Sequence, residues 1–399
     1  MTHQKTVLVL AGDVKGQPFI TECKKLGYRV FLLTRKSLAD RDWPRQDIDE
    51  MFFMDTLTHK EDVLKGVDYL SRQVKIDRVV PMDDFDVEIA SAVREHLRIP
   101  GMGETTARYF RDKLAMRGKA AEEGIREPRF VQPLNVEDIQ EFVNVVPSPW
   151  LLKPRSQAGS AGIQKIQDAT QLWQKINDLG DQQSGYILEE FIPGDIYHVD
   201  SILFEHDVLF VEVSKYGRPP LEVAHQGGIF MTCIQDRQGG DAKTLRKINT
   251  QLLTAFGLKK GVAHTEFIKS HADGQFYFLE TGARVGGAYI SNVILEGTGI
   301  NLWEEWAKIE VLGDKEMYQL PKVKKDYAGI ALCLAHQEWP DTSAYRDPEI
   351  AERIHKAYHA GLILKSKDPH HLETLLQDYV RRFTHDFLAV TGYVKKIDR

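Results

Sequence analysis

Residues 261–290, GVAHTEFIKSHADGQFYFLETGARVGGAYI, constrain this chain more than any other stretch. Two runs rich in β-branched and aromatic residues, 262–269 and 275–280, flank the turn residues His271, Ala272, Asp273 and Gly274, which predicts a β-hairpin. Glu266 lies on the first arm and Glu280 on the second, with Arg284 and the pair Gly286 and Gly287 just beyond. Side chains alternate between the two faces of a strand, so the loop decides where the carboxylates point. With residue 270 paired to 275, Glu266 would oppose Leu279 and Glu280 would face the other way. An odd loop or a bulge is needed to bring both to one face. Two carboxylates directly opposite repel unless a cation sits between them. Mg²⁺ suits that place, because it takes one or two carboxylates and completes its shell with water and phosphate oxygens. The competing reading is a pair of solvated strand glutamates, the usual state of this residue.

At 399 residues the chain exceeds one ordinary core, so two or three structural units are expected. Its net charge of -6 is spread without a basic block, which gives no reason to expect nucleic acid or an anionic membrane as partner and leaves small molecules. Cys23, Cys233 and Cys333 are far apart and form no CxxC, against a disulfide framework or a structural zinc site. No apolar run approaches the ~18 residues of a membrane span and the amino terminus lacks a signal pattern, so a cytoplasmic setting is expected.

Read in order, the first third alternates strand and helix. An apolar run at 5–11 ends in Gly12, a helical stretch at 17–26 stops at Gly27, a strand follows at 29–34, and a helix at 61–73 precedes a strand at 77–81. This predicts an open parallel α/β sheet. Neither GxGxxG nor GxxxxGK[ST] occurs. Asp83, Asp84 and Asp86 follow the strand ending at Pro81, where such sheets place ligands, but helix capping accounts for them and they are left out of the site. The helix after Pro100 carries Arg111, Lys113, Arg117 and Lys119, with Lys113 and Arg117 on one face, either solvated or reaching a phosphate. Beyond Pro147 and Pro149 the character changes to antiparallel strands. Trp150–Pro154 is a strand with Lys153 near its end, and the small residues from Ser156 to Gly162 after it could close backbone N–H groups around phosphate oxygens. The segment 186–203, YILEEFIPGDIYHVDSIL, joins two strands through a linker whose exposed backbone suits an adenine edge.

Lys113, Lys153 with its small-residue loop, Glu189-Glu190-Phe191-Ile192, and Glu266 … Glu280-x-x-x-Arg284 stand in one order. That combination resembles the ATP-grasp superfamily, most of all the branch that includes biotin carboxylase and the carboxylate–amine (L-amino acid) ligases. The resemblance implies a mixed α/β and α+β architecture: an open parallel α/β domain at 1–105, an ATP-grasp domain at 106–310 whose small lobe covers about 125–190, and a small C-terminal α+β domain at 311–399 that includes the stretch 356–390. ATP would lie between the lobes, with Lys113, Lys153, Ser160 and Gly162 at its phosphates. The backbone of Glu189 to Ile192 would read adenine, through the Glu189 carbonyl and the Ile192 N–H. The family's ribose acid falls on Ile196 here, which moves that contact to Asp195 or His198. Glu266 and Glu280 would hold Mg²⁺ or Mn²⁺, without the asparagine that many members carry at the position of Gly282.

The implied reaction activates a small carboxylic acid, an amino acid being favoured, as an acyl phosphate and couples it to an amine. Lys153, Arg284 and Gly287 would act on the reacting atoms, with Gly286 and Gly287 donating N–H groups if a helix begins near Ala288. The Gly/Pro-rich stretch 214–232 would select substrates through Arg218 and His225. The family also allows a homodimer through the first domain. Rival readings are a carboxylating enzyme that uses bicarbonate and a protein that binds ATP without turnover.

Overall fold

The computed structural model describes residues 4–313 and 315–389. Residues 1–3 and, within the predicted C-terminal unit, 314 and 390–399, including Val390, lie outside the described residues. Strands β1 (Thr6–Ala11), β2 (Arg29–Arg35), β3 (Glu50–Met54) and β4 (Arg78–Pro81) form a wholly parallel sheet in the order β3-β2-β1-β4. Helices α1 (Gln17–Lys25) and α2 (Lys60–Ser71) lie in the β1–β2 and β3–β4 connections, and α3 (Asp84–Leu97) follows β4. All of β1 is buried because both faces are covered: Val7 and Val9 pack with Phe19 and Ile20 of α1, while Leu8 and Leu10 pack with Val63 of α2 and Ile89 of α3. Edge strand β3 is absent from the alternation read above; its apolar run, Met51 to Met54, is only four residues long, and none of its residues is buried. Asp83 and Asp86 form the capping box of α3, as capping predicts.

After α4 (Glu104–Arg108) and α5 (Lys113–Glu122) comes a small antiparallel sheet of β5 (Phe130–Val131), β6 (Trp150–Pro154), β7 (Gln164–Ile166) and β8 (Tyr186–Glu190), in the order β5-β8-β6-β7. Helices α6 (Val136–Val145) and α7 (Ala169–Leu179) cover it through a core that includes Ile139, Trp150, Leu152, Leu172 and Leu188.

The remaining strands build one antiparallel sheet of eight. They are β9 (Gly194–Phe204), β10 (Asp207–Tyr216), β11 (Phe230–Ile234), β12 (Gly261–Ser270), β13 (Phe276–Gly282), β14 (Tyr327–Leu334), β15 (Ile350–Arg353) and β16 (His359–Ser366), in the order β13-β12-β9-β10-β11-β14-β16-β15. The C-terminal strands therefore continue the sheet that carries the hairpin instead of starting another. Helices α8 (Pro220–Gln226), α9 (Gly240–Ala255), α10 (Ile290–Thr298), α11 (Leu302–Val311) and α12 (Pro369–Asp386) complete the chain. Alternation along β9 sorts its two faces. Tyr197, Val199 and Leu203 meet Leu245 and Leu252 of α9, whereas Ile196, Ile202 and Phe204 share a core with Trp306 of α11 and Phe19 of α1. His198 and Asp200 thus point to the side of the first domain.

Gly194 opens β9 opposite Ser270, and a Cβ there would lie 2.3 Å from the Lys269 carbonyl oxygen. Because the obstacle is backbone, Gly194→Ala should destabilise the protein by about 1–3 kcal/mol. Thermal denaturation monitored by circular dichroism checks this, and an unchanged midpoint would contradict the packing argument.

Candidate active site

A cavity of about 340 Å³ lies between the small sheet and the hairpin end of the large one. Glu266 and Ile268 of β12 and Leu279 and Glu280 of β13 form one wall, Lys153 with Ser160 and Ala161 the opposite one, and Glu190, Phe191 and Ile192 the linker side. Lys113 and Asp195 also line it.

Glu266 and Glu280 are directly paired across β12 and β13. The loop has the even form, with the Ser270 N–H donating to the Gln275 carbonyl, and Lys269 pairs with Phe276 and Phe267 with Phe278. The register then shifts, so that Leu279 is the extra residue of a bulge. Without it Leu279 and Glu280 would face opposite sides; with it both line the cavity. Glu266 Oε1 accepts the Tyr216 hydroxyl at 2.8 Å and lies 3.6 Å from His264 Nε2. Glu280 Oε2 lies 3.0 Å from Lys113 Nζ. The remaining oxygen of each carboxylate makes no protein hydrogen bond among the described residues. Two cavity-lining carboxylates, each with an oxygen to spare, are the donor set that a hard divalent cation takes, so these residues fit Mg²⁺.

Lys153 Nζ is 2.6 Å from Glu189 Oε2, and Arg117 Nη2 is 2.9 Å from Glu189 Oε1, with Arg117 and Glu189 fully buried. Burial raises the Glu189 pKa, but Arg117 and then Lys153 outweigh it and hold the carboxyl below its usual range. This corrects the expected Glu189 contact with adenine. Glu189 sits within β8 between Phe130 of β5 and Leu151 of β6 and does not line the cavity; the lining begins at Glu190. The Glu190 carboxylate is engaged outside by Arg129, at 2.9 and 3.2 Å. Lys113 Nζ donates to the Gln157 carbonyl at 2.7 Å, tying the small-residue loop to α5.

Other expectations also change. Gly162 lies beyond the cavity wall, where its left-handed φ of 71° turns the chain beside Pro154. His198 is not open to a ribose: it is fully buried, with Nδ1 2.7 Å from Asp200 and Nε2 2.7 Å from the Thr232 hydroxyl. Asp195 does line the cavity, its carboxylate held by Lys215 at 2.9 Å. The stretch 214–232 is not an open loop, since β10 runs to Tyr216 and α8 presents Pro220, Leu221 and Glu222 to the cavity. His225 is exposed on α8, and Arg218 does not line the cavity, its Nη2 donating to Glu222 and Gln226 at 3.4 and 3.2 Å. The helix after the hairpin begins at Ile290, because Ala288 and Tyr289 adopt left-handed φ values of 50° and 62°. Gly286 and Gly287 therefore do not form a helix amino terminus; Gly286 is buried and Gly287 exposed.

No protein-family model matches the chain. Over 248 residues, 60% of this chain, it is 29% identical to the L-arginine-specific L-amino acid ligase of Bacillus subtilis, and the match spans 59% of that protein's length. Its fold matches the crystal structure of an L-amino acid ligase from Bacillus licheniformis with a TM-score of 0.76 at 18% identity, covering 97% of this chain and 99% of that one. It also matches N5-carboxyaminoimidazole synthetase from Staphylococcus aureus complexed with ADP, with a TM-score of 0.73 at 15% identity over 96% and 98% of the two chains. The chain has the ATP-grasp fold.

Two parts of this site escape a reading of the sequence. The first is Asp84, whose Oδ2 accepts from Arg284 Nε at 2.8 Å across 200 residues of sequence. Arg284 Nη1 donates to the Val285 carbonyl at 3.2 Å, while Nη2 makes no protein hydrogen bond among the described residues. Burial works against charge on both groups, yet Arg284 holds Asp84 below the usual carboxylate range and Asp84 raises Arg284 in turn. The pair joins the strand ends of the first domain to the chain just past Glu280. The second is a buried polar cluster on the same face as Glu266. His198, Asp200 and His264 place ligand atoms within 4.8 Å of one another, the spacing of a metal site, but both oxygens of Asp200 are already taken, by His198 Nδ1 at 2.7 Å and His264 Nδ1 at 2.9 Å. Burial keeps His198 below its ordinary pKa, whereas for His264 the Asp200 carboxylate overcomes burial and lifts it to about 9.

Proposed function

We propose that this protein is an ATP- and Mg²⁺-dependent ligase that activates a small carboxylic acid, an amino acid, as an acyl phosphate and joins it to an amine. The observation that carries the reading is the bulged pair Glu266 and Glu280, facing the same cavity as Lys113 and Lys153. The likeness to the arginine-specific L-amino acid ligase supports an amino acid as the substrate.

In this reading the apolar residues Ile163, Phe191, Ile192 and Ile268 enclose the base, and the linker backbone from Glu190 to Ile192 supplies its hydrogen bonds. Lys153, steadied by Glu189, and Lys113, set between Glu280 and the Gln157 carbonyl, neutralise phosphate charge. Mg²⁺ held by Glu266 and Glu280 would shield the phosphate oxygens and polarise the transferred group. A carboxylate oxygen of the acid attacks the γ-phosphorus and ADP departs. The amine then attacks the acyl carbon, and inorganic phosphate leaves as the amide forms. Arg284 Nη2 is the donor that remains for the acid's oxygens, since Nε and Nη1 are fixed by Asp84 and Val285. Small-molecule acid and amine are thus the partners.

The test is ADP release from Mg²⁺-ATP against a panel of amino acids, alone and in pairs, with product masses determined. Release that needs both an acid and an amine, with a product lighter than their sum by one water, is expected. Release with bicarbonate alone would replace the reading by a carboxylating one, and tight ATP binding without release would end it.

A further inference from the structure

The buried cluster behind Glu266 has a layout that packing alone does not require. Cross-strand register puts Glu280, Glu266, His198 and Ser214 in one row over β13, β12, β9 and β10, and His264 beside Asp200 in the next. From the far end, the Thr232 hydroxyl meets His198 Nε2 at 2.7 Å, His198 Nδ1 meets Asp200 Oδ2 at 2.7 Å, and Asp200 Oδ1 meets His264 Nδ1 at 2.9 Å. His264 then turns Nε2 toward Glu266 Oε1, to which Tyr216 also donates at 2.8 Å. Asp200 is 1% exposed and His264 5%. Gly286 closes the cluster, since a Cβ there would come within 3.0 Å of both Asp200 Oδ1 and His264 Nδ1. The chain from Thr232 to His264 is hydrogen-bonded throughout, and it ends in an ion-pair contact of 3.6 Å on the same Glu266 oxygen that accepts the Tyr216 hydroxyl. The other oxygen makes no protein hydrogen bond among the described residues, and Glu266 lines the cavity.

We propose that Asp200 and His264 are positioning residues for the metal site: anchored by His198 and Thr232, they and Tyr216 fix the Glu266 carboxylate so that its free oxygen meets the cation. This rests on the reading of Glu266 as a metal ligand. A glutamate on a strand has three side-chain torsions to settle, and a carboxylate fixed beforehand loses less freedom when the metal binds. Ligands held by outer partners lose roughly 10- to 100-fold in metal affinity when those partners are removed. Asp200→Asn preserves shape but cannot accept from both histidines, because one oxygen becomes an NH₂ donor.

The experiment measures Mn²⁺ affinity of the full chain in the presence of ADP by calorimetry, ADP affinity without metal, and the Mg²⁺ dependence of turnover. Asp200→Asn and His264→Ala are expected to weaken Mn²⁺ about 10- to 100-fold, to leave metal-free ADP affinity within about twofold, and to regain most of kcat at high Mg²⁺. A role in folding alone would lower the melting midpoint and impair ADP and Mn²⁺ binding in parallel, and that result would overturn the proposal. Tyr216→Phe removes one hydroxyl and no buried charge, so it serves if the other variants do not fold. It should weaken Mn²⁺ several-fold, and unchanged Mn²⁺ affinity in a folded variant would likewise overturn the proposal. Glu266→Gln separates the two levels. If it weakens Mn²⁺ while Asp200→Asn does not, positioning fails and the ligase reading stands. If Glu266→Gln has no effect, the metal assignment itself has failed.

Discussion

Replacing Glu280 by glutamine should reduce Mg²⁺-ATP turnover by roughly 10³-fold, about 4 kcal/mol of transition-state stabilisation, while ADP binding without metal stays within about twofold. The change keeps the shape of the side chain and removes only its charge. It takes away one of two carboxylates that share a face through the bulge at Leu279, and it frees Lys113, whose ammonium lies 3.0 Å from Glu280 and is otherwise held by the Gln157 carbonyl. Stability without metal should move by less than about 1 kcal/mol, because relief from the opposed Glu266 offsets the lost, partly exposed pair with Lys113. Steady-state kinetics over a range of Mg²⁺, beside calorimetry with ADP alone, reads both effects. Turnover within tenfold of the parent chain would remove Glu280 from the metal site.

How far that pair could be foreseen shows what a sequence carries. Alternation demands a bulge or an odd loop if Glu266 and Glu280 are to cooperate, and it leaves open which. The choice of Leu279 depends on packing on both faces, with Phe278 turned to the core beneath α9 and Leu279 to the cavity. Nothing local marks Leu279, which is neither glycine nor a turn former. His198 departs from its expected role for a related reason: strand period tells the face a residue takes, not what other strands bring beside it. Thr232, Asp200 and His264 come from β11, β9 and β12, neighbours only once the strand order is known. Glu189 illustrates the opposite case, in which the segment is right but strand β8 runs through Glu190, two residues into the expected linker. The parallel sheet and the strand Trp150–Pro154 were readable, because each is built of short apolar runs bounded by turn residues. That β14 and β16 extend the hairpin's own sheet was not, since pairing partners leave no trace in local pattern.

Arg284→Lys should lower kcat about 100-fold with the KM for ATP nearly unchanged. The guanidinium divides its nitrogens among three tasks. Nε is held by Asp84 at 2.8 Å, Nη1 by the Val285 carbonyl at 3.2 Å, and Nη2 remains for substrate. A lysine has a single nitrogen at the end of a flexible stem. If it pairs with the buried Asp84 carboxylate it abandons the substrate; if it reaches the substrate it leaves Asp84 unpaired, a loss that for a fully buried pair runs to about 3–5 kcal/mol and is smaller here because Arg284 is 18% exposed. The first outcome costs less free energy, so the variant should fold and bind ATP while turning over slowly. Asp84→Asn supplies the complementary case, in which Arg284 keeps its shape but loses the charge that orients it. If the two residues act as a unit, the double variant Asp84→Asn with Arg284→Lys should lose little more activity than Arg284→Lys alone, whereas independent roles would multiply the losses. Since Arg284 does not line the cavity, an equal rise in the KM for ATP and fall in kcat would place it on the nucleotide instead, and would leave the acid without its proposed donor.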